Sequence, residues 1–294
     1  MTTSRRRVLA LGAAGVAVLA GGCAAPAPGP TAPTTTPAVG NPFGPVEAAM
    51  GGRLGVFAVD LATGRTAGHR ADERFLLCST SKMPTAAAIL AARVPLDEVV
   101  RYSPADLVRN SPTTSRSTSL TVGELCAAAI TVSDNTAENL LLRRLGGPKA
   151  VQGYLRSTGD AVTSLDRYEP ELNARQGTLD TSTPRQMVAT LQACTLGAGL
   201  DEAGRAQLLD WLVATTTGGQ RIRAGLPAGW RTGDKTGSGD GGEVNDVAIT
   251  WPSEPPGRPP VLLAVYTEPA DPRSDRAVPA VPAATTAAVR ALGL

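Results

Sequence analysis

The sequence predicts an α/β protein: an antiparallel sheet formed from both chain ends with flanking helices, plus an all-α subdomain between them. Three observations predict it. Strand patterns sit near the start, at Leu54–Asp60, and return near the end, at Trp230–Thr236, Val244–Trp251 and Val261–Thr267. Between them, capping signatures and helical periodicity follow one another. Residues 24–42, rich in Pro, Thr and Ala, cannot bury a core, and from about Phe43 onward the chain reads as one globular unit. The expected organisation is therefore residues 1–22 as an export signal, 23–42 as a tether and 43–294 as the folded unit. Within that unit the α/β part spans about 43–78 and 220–294, and the all-α part about 79–219.

In chain order, Ser4-Arg5-Arg6-Arg7-Val8-Leu9 resembles a twin-arginine leader, and an apolar run from Val8 to Ala20 follows it. That run is too short to span a bilayer. It ends in Leu19-Ala20-Gly21-Gly22-Cys23, which resembles a lipobox, although Ala20 stands where leucine is usual. The segment reads either as an ordinary cleaved signal or, as we favour, as a lipoprotein signal with lipid attachment at Cys23. Residues 24–42 are rich in Pro, Thr and Ala and read as a stiff tether.

Leu54–Asp60 alternates as a strand and turns at Ala62-Thr63-Gly64 towards His69. A helix is expected from about Ser79 to Ala92. Thr121-Val122-Gly123-Glu124 is a capping box opening a helix to Thr131. The next helix runs from about Thr136 to Leu145 and stops at Gly146-Gly147. Thr183-Pro184-Arg185-Gln186 is a second box with proline at the first helical position. Ala203–Thr215 is helical, then the late strands follow, and a last helix covers about Ala280–Leu292.

Composition narrows the chemistry. The 294 residues are 42% hydrophobic and 18% charged, enough for a sizeable core, with only 3% aromatics. The net charge is +2, and Arg5, Arg6 and Arg7 account for more than that, so the folded part carries no basic excess for nucleic acid. His69 is the only histidine, which excludes zinc sites built on two or three imidazoles. The four cysteines form no CxxC pair. Of the 28 cations only Lys82, Lys149 and Lys235 are lysine. No metal or cofactor is expected.

Three short motifs then stand out. Ser79-Thr80-Ser81-Lys82 sets a hydroxyl and an amine three residues apart at a helix start, where they share a face. A serine needs a base to become a nucleophile, and with histidine nearly absent a desolvated lysine is a candidate. Ser133-Asp134-Asn135 lies between two helices, where capping alone could explain it. Lys235-Thr236-Gly237-Ser238-Gly239 lies on a strand, with Thr236 and Ser238 on one face and Lys235 on the other. Gly237 and Gly239 permit close approach of another backbone or a ligand. Each motif alone has an ordinary structural explanation; the ordered set SxxK, SDN, KTG is specific.

With these motifs, the flanking text Ala129–Leu140 and Leu226-Pro227-Ala228-Gly229-Trp230, and the run Arg167-Tyr168-Glu169-Pro170-Glu171-Leu172-Asn173, the chain from about residue 50 onward resembles the class A serine β-lactamases. The resemblance implies that Ser79 attacks the lactam carbonyl, that Lys82 and Glu169 share its activation, and that Ser133 protonates the leaving nitrogen. It implies an oxyanion hole from the backbone N–H groups of Ser79 and Ser238. Asn135 would bind the substrate's side-chain amide, and Lys235, Thr236 and Ser238 its carboxylate. Glu169 and Asn173 would place the deacylating water, and Arg167 with Asp180 would close the Ω-loop. The implied protein is an exported monomer acting on a small-molecule β-lactam, secreted or held to the membrane only by a lipid anchor.

The chain also departs from the family pattern. Where many members carry an arginine after KTG, Val244 stands here; Arg221 falls where another subgroup places that arginine and is expected to substitute. Asn110 replaces an aromatic before Ser111-Pro112, and the Ω-loop is about two residues short between Asn173 and Asp180. Gly239 excludes a bridge to Cys78, and Ala86 stands at the usual partner position of Cys126, so Cys78, Cys126 and Cys194 are expected as free buried thiols. Two alternatives share SxxK, SDN and KTG: a D-Ala-D-Ala peptidase, and a non-catalytic β-lactam-sensing lipoprotein. Glu169 with Asn173 argues against the peptidase, because slow deacylation is what makes the peptidases targets of β-lactams; sustained turnover of a chromogenic cephalosporin separates all three.

Overall fold

Strand runs far apart in the chain meet in one antiparallel sheet because its central members, the runs at 52–60, 244–251 and 261–269, carry apolar side chains on both faces. The computed structural model describes residues 40–294. The export signal, Cys23 and the tether up to residue 39 lie outside the described residues. The chain enters through α1 (Gly44–Met50) and forms the hairpin β1 (Gly52–Asp60) and β2 (Thr66–His69). Gly64, at φ 72°, takes the left-handed position that this turn requires. A short β3 (Phe75–Leu76) leads into the helical body: α2 (Lys82–Ala91), the small pair β4 (Val99–Arg101) and β5 (Ser119–Thr121), then α3 (Val122–Thr131), α4 (Asn135–Leu145) and α5 (Pro148–Ser157). After β6 (Thr181–Ser182) come α6 (Pro184–Thr195), α7 (Glu202–Val213) and α8 (Ile222–Gly225). The chain then returns to the sheet with β7 (Arg231–Ser238), β8 (Val244–Trp251) and β9 (Val261–Pro269), and ends in α9 (Ala277–Leu292).

The sheet order is β2-β1-β9-β8-β7, antiparallel throughout. Alternation along β9 shows why its sequence is continuously apolar. Leu262, Ala264 and Tyr266 face the helical body, while Val261, Leu263 and Val265 face α1 and α9. Phe57, Val247 and Ile249 join the first core; Leu54, Val56 and Ala248 join the second. A sheet covered on both faces has no polar face to show, so periodicity alone could not reveal which side carried the helical body.

Local signals placed most elements. Thr121 and Glu124 form the expected reciprocal box: Glu124 N–H donates to Thr121 Oγ1 at 3.2 Å and Thr121 N–H to Glu124 at 2.7 Å. At α6 only half of the expected box forms, because Thr183 accepts from Gln186 N–H while the Gln186 amide turns to Thr190. The helix α5 was not foreseen; Gly146 and Gly147, read as a stop, are followed at once by Pro148 as a new first residue. Cys78, Cys126 and Cys194 are free and buried, as expected.

Candidate active site

The expected single helix over Ser79–Ala92 is instead a tight 3-10 turn, Cys78–Ser81, feeding α2 at Lys82. Three residues per turn bring positions i and i+3 into register. Lys82 Nζ accordingly lies 2.7 Å from Ser79 Oγ. Cys78 holds φ 48°, a left-handed conformation unusual for a residue with a Cβ, immediately before Ser79. Two other such residues, Asn110 (φ 60°) and Ser133 (φ 59°), line the same cleft. Strained backbone collected at one place marks a site that the surrounding fold holds in shape.

Across the cleft, Asp134 does the capping: its carboxylate accepts from Ala137 N–H at 2.9 Å, and from Thr113 and Thr114 N–H at 2.9 Å, pinning the loop that carries Ser111. That leaves Ser133 and Asn135 free to face inwards. Asn135 Nδ2 donates to the Arg109 carbonyl at 3.0 Å, which fixes the amide so that Oδ1 accepts from Lys82 Nζ at 2.7 Å.

The segment between α5 and β6 supplies the carboxylate. It is closed by Arg167 against buried Asp180 at 2.5 Å, the expected pair, and Asp180 also accepts from the backbone N–H groups of Asp166 and Arg167. Within it Glu169 Oε1 accepts from Lys82 Nζ at 2.7 Å and lies 3.3 Å from Ser79 Oγ, and Glu169 Oε2 accepts from Asn173 Nδ2. Lys82 and Glu169 are fully buried side chains. Asn139, not singled out from the sequence, clamps the Glu169 backbone from both sides: its amide donates to Glu169 O and accepts from Glu169 N–H, each at 2.8 Å. Its signal was available, since Asn139 follows Asn135 by one helical turn.

The edge strand β7 forms the far wall. A Cβ on Gly237 would stand 3.0 Å from the Leu77 carbonyl and 3.1 Å from Cys78 Cβ, so only glycine lets β7 lie against the Ser79 turn. Thr236 and Ser238 line the cleft, as alternation predicted. Lys235 does leave from the other face, but its long stem brings Nζ back to Ser133 Oγ at 3.0 Å and to the Thr236 carbonyl at 2.9 Å. Burial, with the Lys82 charge second, pushes Lys235 down to about 7. Arg221 reaches in beside it: Nη2 donates to Ser238 Oγ at 2.8 Å, and Nη1 to the carbonyls of Gly237 and Asn245 at 2.5 and 2.6 Å. The Cys78 thiol behind Ser79 is pushed well above its usual range by burial, which opposes the thiolate form that a nucleophilic cysteine needs.

The cleft thus assembled has a volume of about 690 Å³ and receives Ser79, Ser133, Asn135, Asn173, Thr236, Ser238 and Arg221 from both the sheet and the helical body. Residues from five separate stretches of chain converge on Ser79: a hydroxyl with an amine and a carboxylate in reach, and opposite them a row of hydroxyls and an arginine suited to an anion.

Known proteins match the chain over most of its length. The family model described as the β-lactamase enzyme family matches residues 43–292. A β-lactamase of Amycolatopsis lactamdurans is 49% identical over 91% of this chain and 89% of its own length. The β-lactamase AST-1 of Nocardia asteroides is 48% identical over 88% and 86%. The solved class A β-lactamase from Mycobacterium abscessus superposes with a TM-score of 0.83 at 50% identity, covering 86% of this chain and 98% of that one. With the match spanning nearly all of the described residues, the chain belongs to the β-lactamase enzyme family, as a class A serine β-lactamase.

Proposed function

We propose that this enzyme opens the β-lactam ring with Ser79 and releases the product with a water activated by Glu169, thereby conferring β-lactam resistance. The observation that carries the reading is the Ser79–Lys82–Glu169–Asn173 cluster. A proton leaving Ser79 Oγ has two acceptors in reach, Lys82 Nζ at 2.7 Å and Glu169 Oε1 at 3.3 Å. Asn173 Oδ1 is buried and has no partner among the described residues, which leaves an acceptor beside the Glu169 carboxylate for the O–H of an attacking water.

The remaining roles follow from position. Because β7 is the sheet edge, alternate backbone N–H groups point away from β8, and the Ser238 N–H with that of Ser79 forms the oxyanion hole. Ser133 Oγ, held by Lys235, relays a proton to the departing nitrogen. Asn135 holds the substrate's side-chain amide. Lys235, Thr236, Ser238 and Arg221 hold its carboxylate. Steady hydrolysis of a chromogenic cephalosporin over many equivalents is expected. A single stoichiometric burst followed by silence would instead support a peptidase or a sensor.

Among the described residues no helix is long and apolar enough to cross a membrane. We read the protein as an exported monomer held to the membrane by lipid on Cys23. The Arg5-Arg6-Arg7 leader, the small residues before Cys23 and the Pro-rich stretch after it support this. Cys23→Ala should move activity from the membrane fraction to the medium; an unchanged distribution overturns the anchor.

A further inference from the structure

Glu138 is a charged residue type with no place in the mechanism above, and it is completely buried. It lies on α4 among Ala137, Leu140, Leu141 and Leu142, directly behind the catalytic cluster. Among the described residues the one hydrogen-bond partner of its side chain is Thr85 on α2, with Thr85 Oγ1 2.8 Å from Glu138 Oε1. The other carboxyl oxygen, Oε2, is buried without any partner.

Counting protons decides the state of this carboxyl. Thr85 Oγ1 is also 3.1 Å from the Ser81 carbonyl. A threonine hydroxyl has a single proton to donate. If Glu138 were ionised, Thr85 would face two acceptors and could satisfy one, and Oε2 would be a bare anionic oxygen in the core. If Glu138 is protonated, its O–H donates to Thr85 Oγ1 and the Thr85 O–H donates to Ser81 O. Every proton then has an acceptor, and the unpartnered oxygen is a neutral carbonyl, much cheaper to bury than a charge.

The groups facing this carboxyl are those of the reaction. Lys82 from α2 acts on it most strongly among charges, then Glu169, then Lys235 from β7. Cys126 from α3 feels it in turn. From α5, which also packs on α4, the buried side chains are Pro148, Val151 and Leu155, none of them charged.

We propose that Glu138 is a positioning residue for proton transfer: it rests as an uncharged acid behind Lys82, and its ionisation at higher pH fastens the Lys82 proton and slows activation of Ser79. This rests on the roles proposed above for Ser79 and Lys82. Burial raises the Glu138 carboxyl to about 7, which places its titration within the working range of the enzyme. The sign is direct: below that pH the buried cluster holds Lys82 and Glu169 as a balanced pair. Above it a second anion adds to the pair, favours the charged form of Lys82 and opposes its acting as a proton acceptor.

The test is the pH profile of kcat/KM for a chromogenic cephalosporin in wild type and in Glu138→Gln. Glutamine keeps the shape and can donate to Thr85 but cannot ionise. The wild type should show a decline above neutrality, of which loss of the Lys235 proton supplies a part common to both proteins; the part set by Glu138 should move up by about one pH unit or more in Glu138→Gln. Superimposable profiles overturn the proposal. A second measurement needs no turnover and no substitution at position 138: carboxyl titration by carbon-13 NMR of glutamate-labelled wild type. One glutamate carboxyl should titrate close to neutrality, and it should persist in Glu243→Gln, which removes another buried glutamate. Absence of any glutamate titrating above about pH 6 overturns the proposal. If the wild type hydrolyses no cephalosporin, the functional reading fails, whereas the NMR titration still reports on Glu138.

Discussion

Glu169→Ala should acylate once and stop. Acylation leaves an ester on Ser79, and its hydrolysis needs a water deprotonated at the right place; Glu169 Oε1 lies 3.3 Å from Ser79 Oγ, and among the described residues no other carboxylate lies within hydrogen-bond distance of that oxygen. Removing a positioned general base costs on the order of 10²–10⁴-fold. Deacylation should slow by that factor, and acylation should slow less because Lys82 Nζ, at 2.7 Å, can still take the Ser79 proton. The variant incubated with a penicillin should therefore gain the mass of one opened substrate and keep it. Removing one member of a buried ion pair also costs about 3–5 kcal/mol of stability. The adduct itself reports a folded site, so a folding failure would show as no adduct at all. Undiminished multiple turnover would falsify the role given to Glu169.

Arg221→Ala should raise KM for a penicillin far more than it lowers kcat. The guanidinium donates to Ser238 Oγ at 2.8 Å at the end of the cleft where the hydroxyls of Thr236 and Ser238 collect. A charge-assisted hydrogen bond contributes about 1.5–3 kcal/mol, so KM should rise by about 10- to 100-fold. Arg221 also holds the Gly237 and Asn245 carbonyls, and its loss could act by loosening β7 rather than by losing a charge. A second substitution separates these. Val244 pairs directly with Ser238 across β7 and β8, so the two side chains share a face. A space of about 410 Å³ lies between Arg221 and Val244. Arg221→Ala with Val244→Arg should recover most of the lost KM if the charge is what matters. Unchanged penicillin kinetics in Arg221→Ala, or no recovery in the double variant, would sink the assignment.

Much of this site was legible in the residues themselves. The lysine count pointed to chemistry: in a chain that uses arginine for nearly every cation, Lys82 and Lys235 stand inside catalytic motifs. An arginine at 82 could not serve as a proton acceptor, because a guanidinium does not deprotonate in proteins. Spacing on one turn also worked. Ser79 with Lys82, and Glu169 with Asn173, meet as their separation predicts. Where local geometry differed, as in the 3-10 turn replacing the first turn of α2, the i to i+3 contact survived because both helix types bring those positions together.

Other features depended on groups brought together from far along the chain. Ser79 and Glu169 are separated by 90 residues, and no local rule relates them. Lys235 looked misdirected by alternation, yet its buried stem delivers the amine to Ser133 Oγ. Glu138 read as one more residue on a helix until the packing of α2 against α4 placed it behind Lys82 with one oxygen unpartnered. The sequence by itself determined the residue types, the capping, the strand and helix patterns and the family. Tertiary structure alone decided that the Lys235 amine returns to Ser133, that Asn139 clamps Glu169 and that Glu138 is buried, because burial and long-range hydrogen bonds are set by which elements pack together, a property that no window of the chain contains.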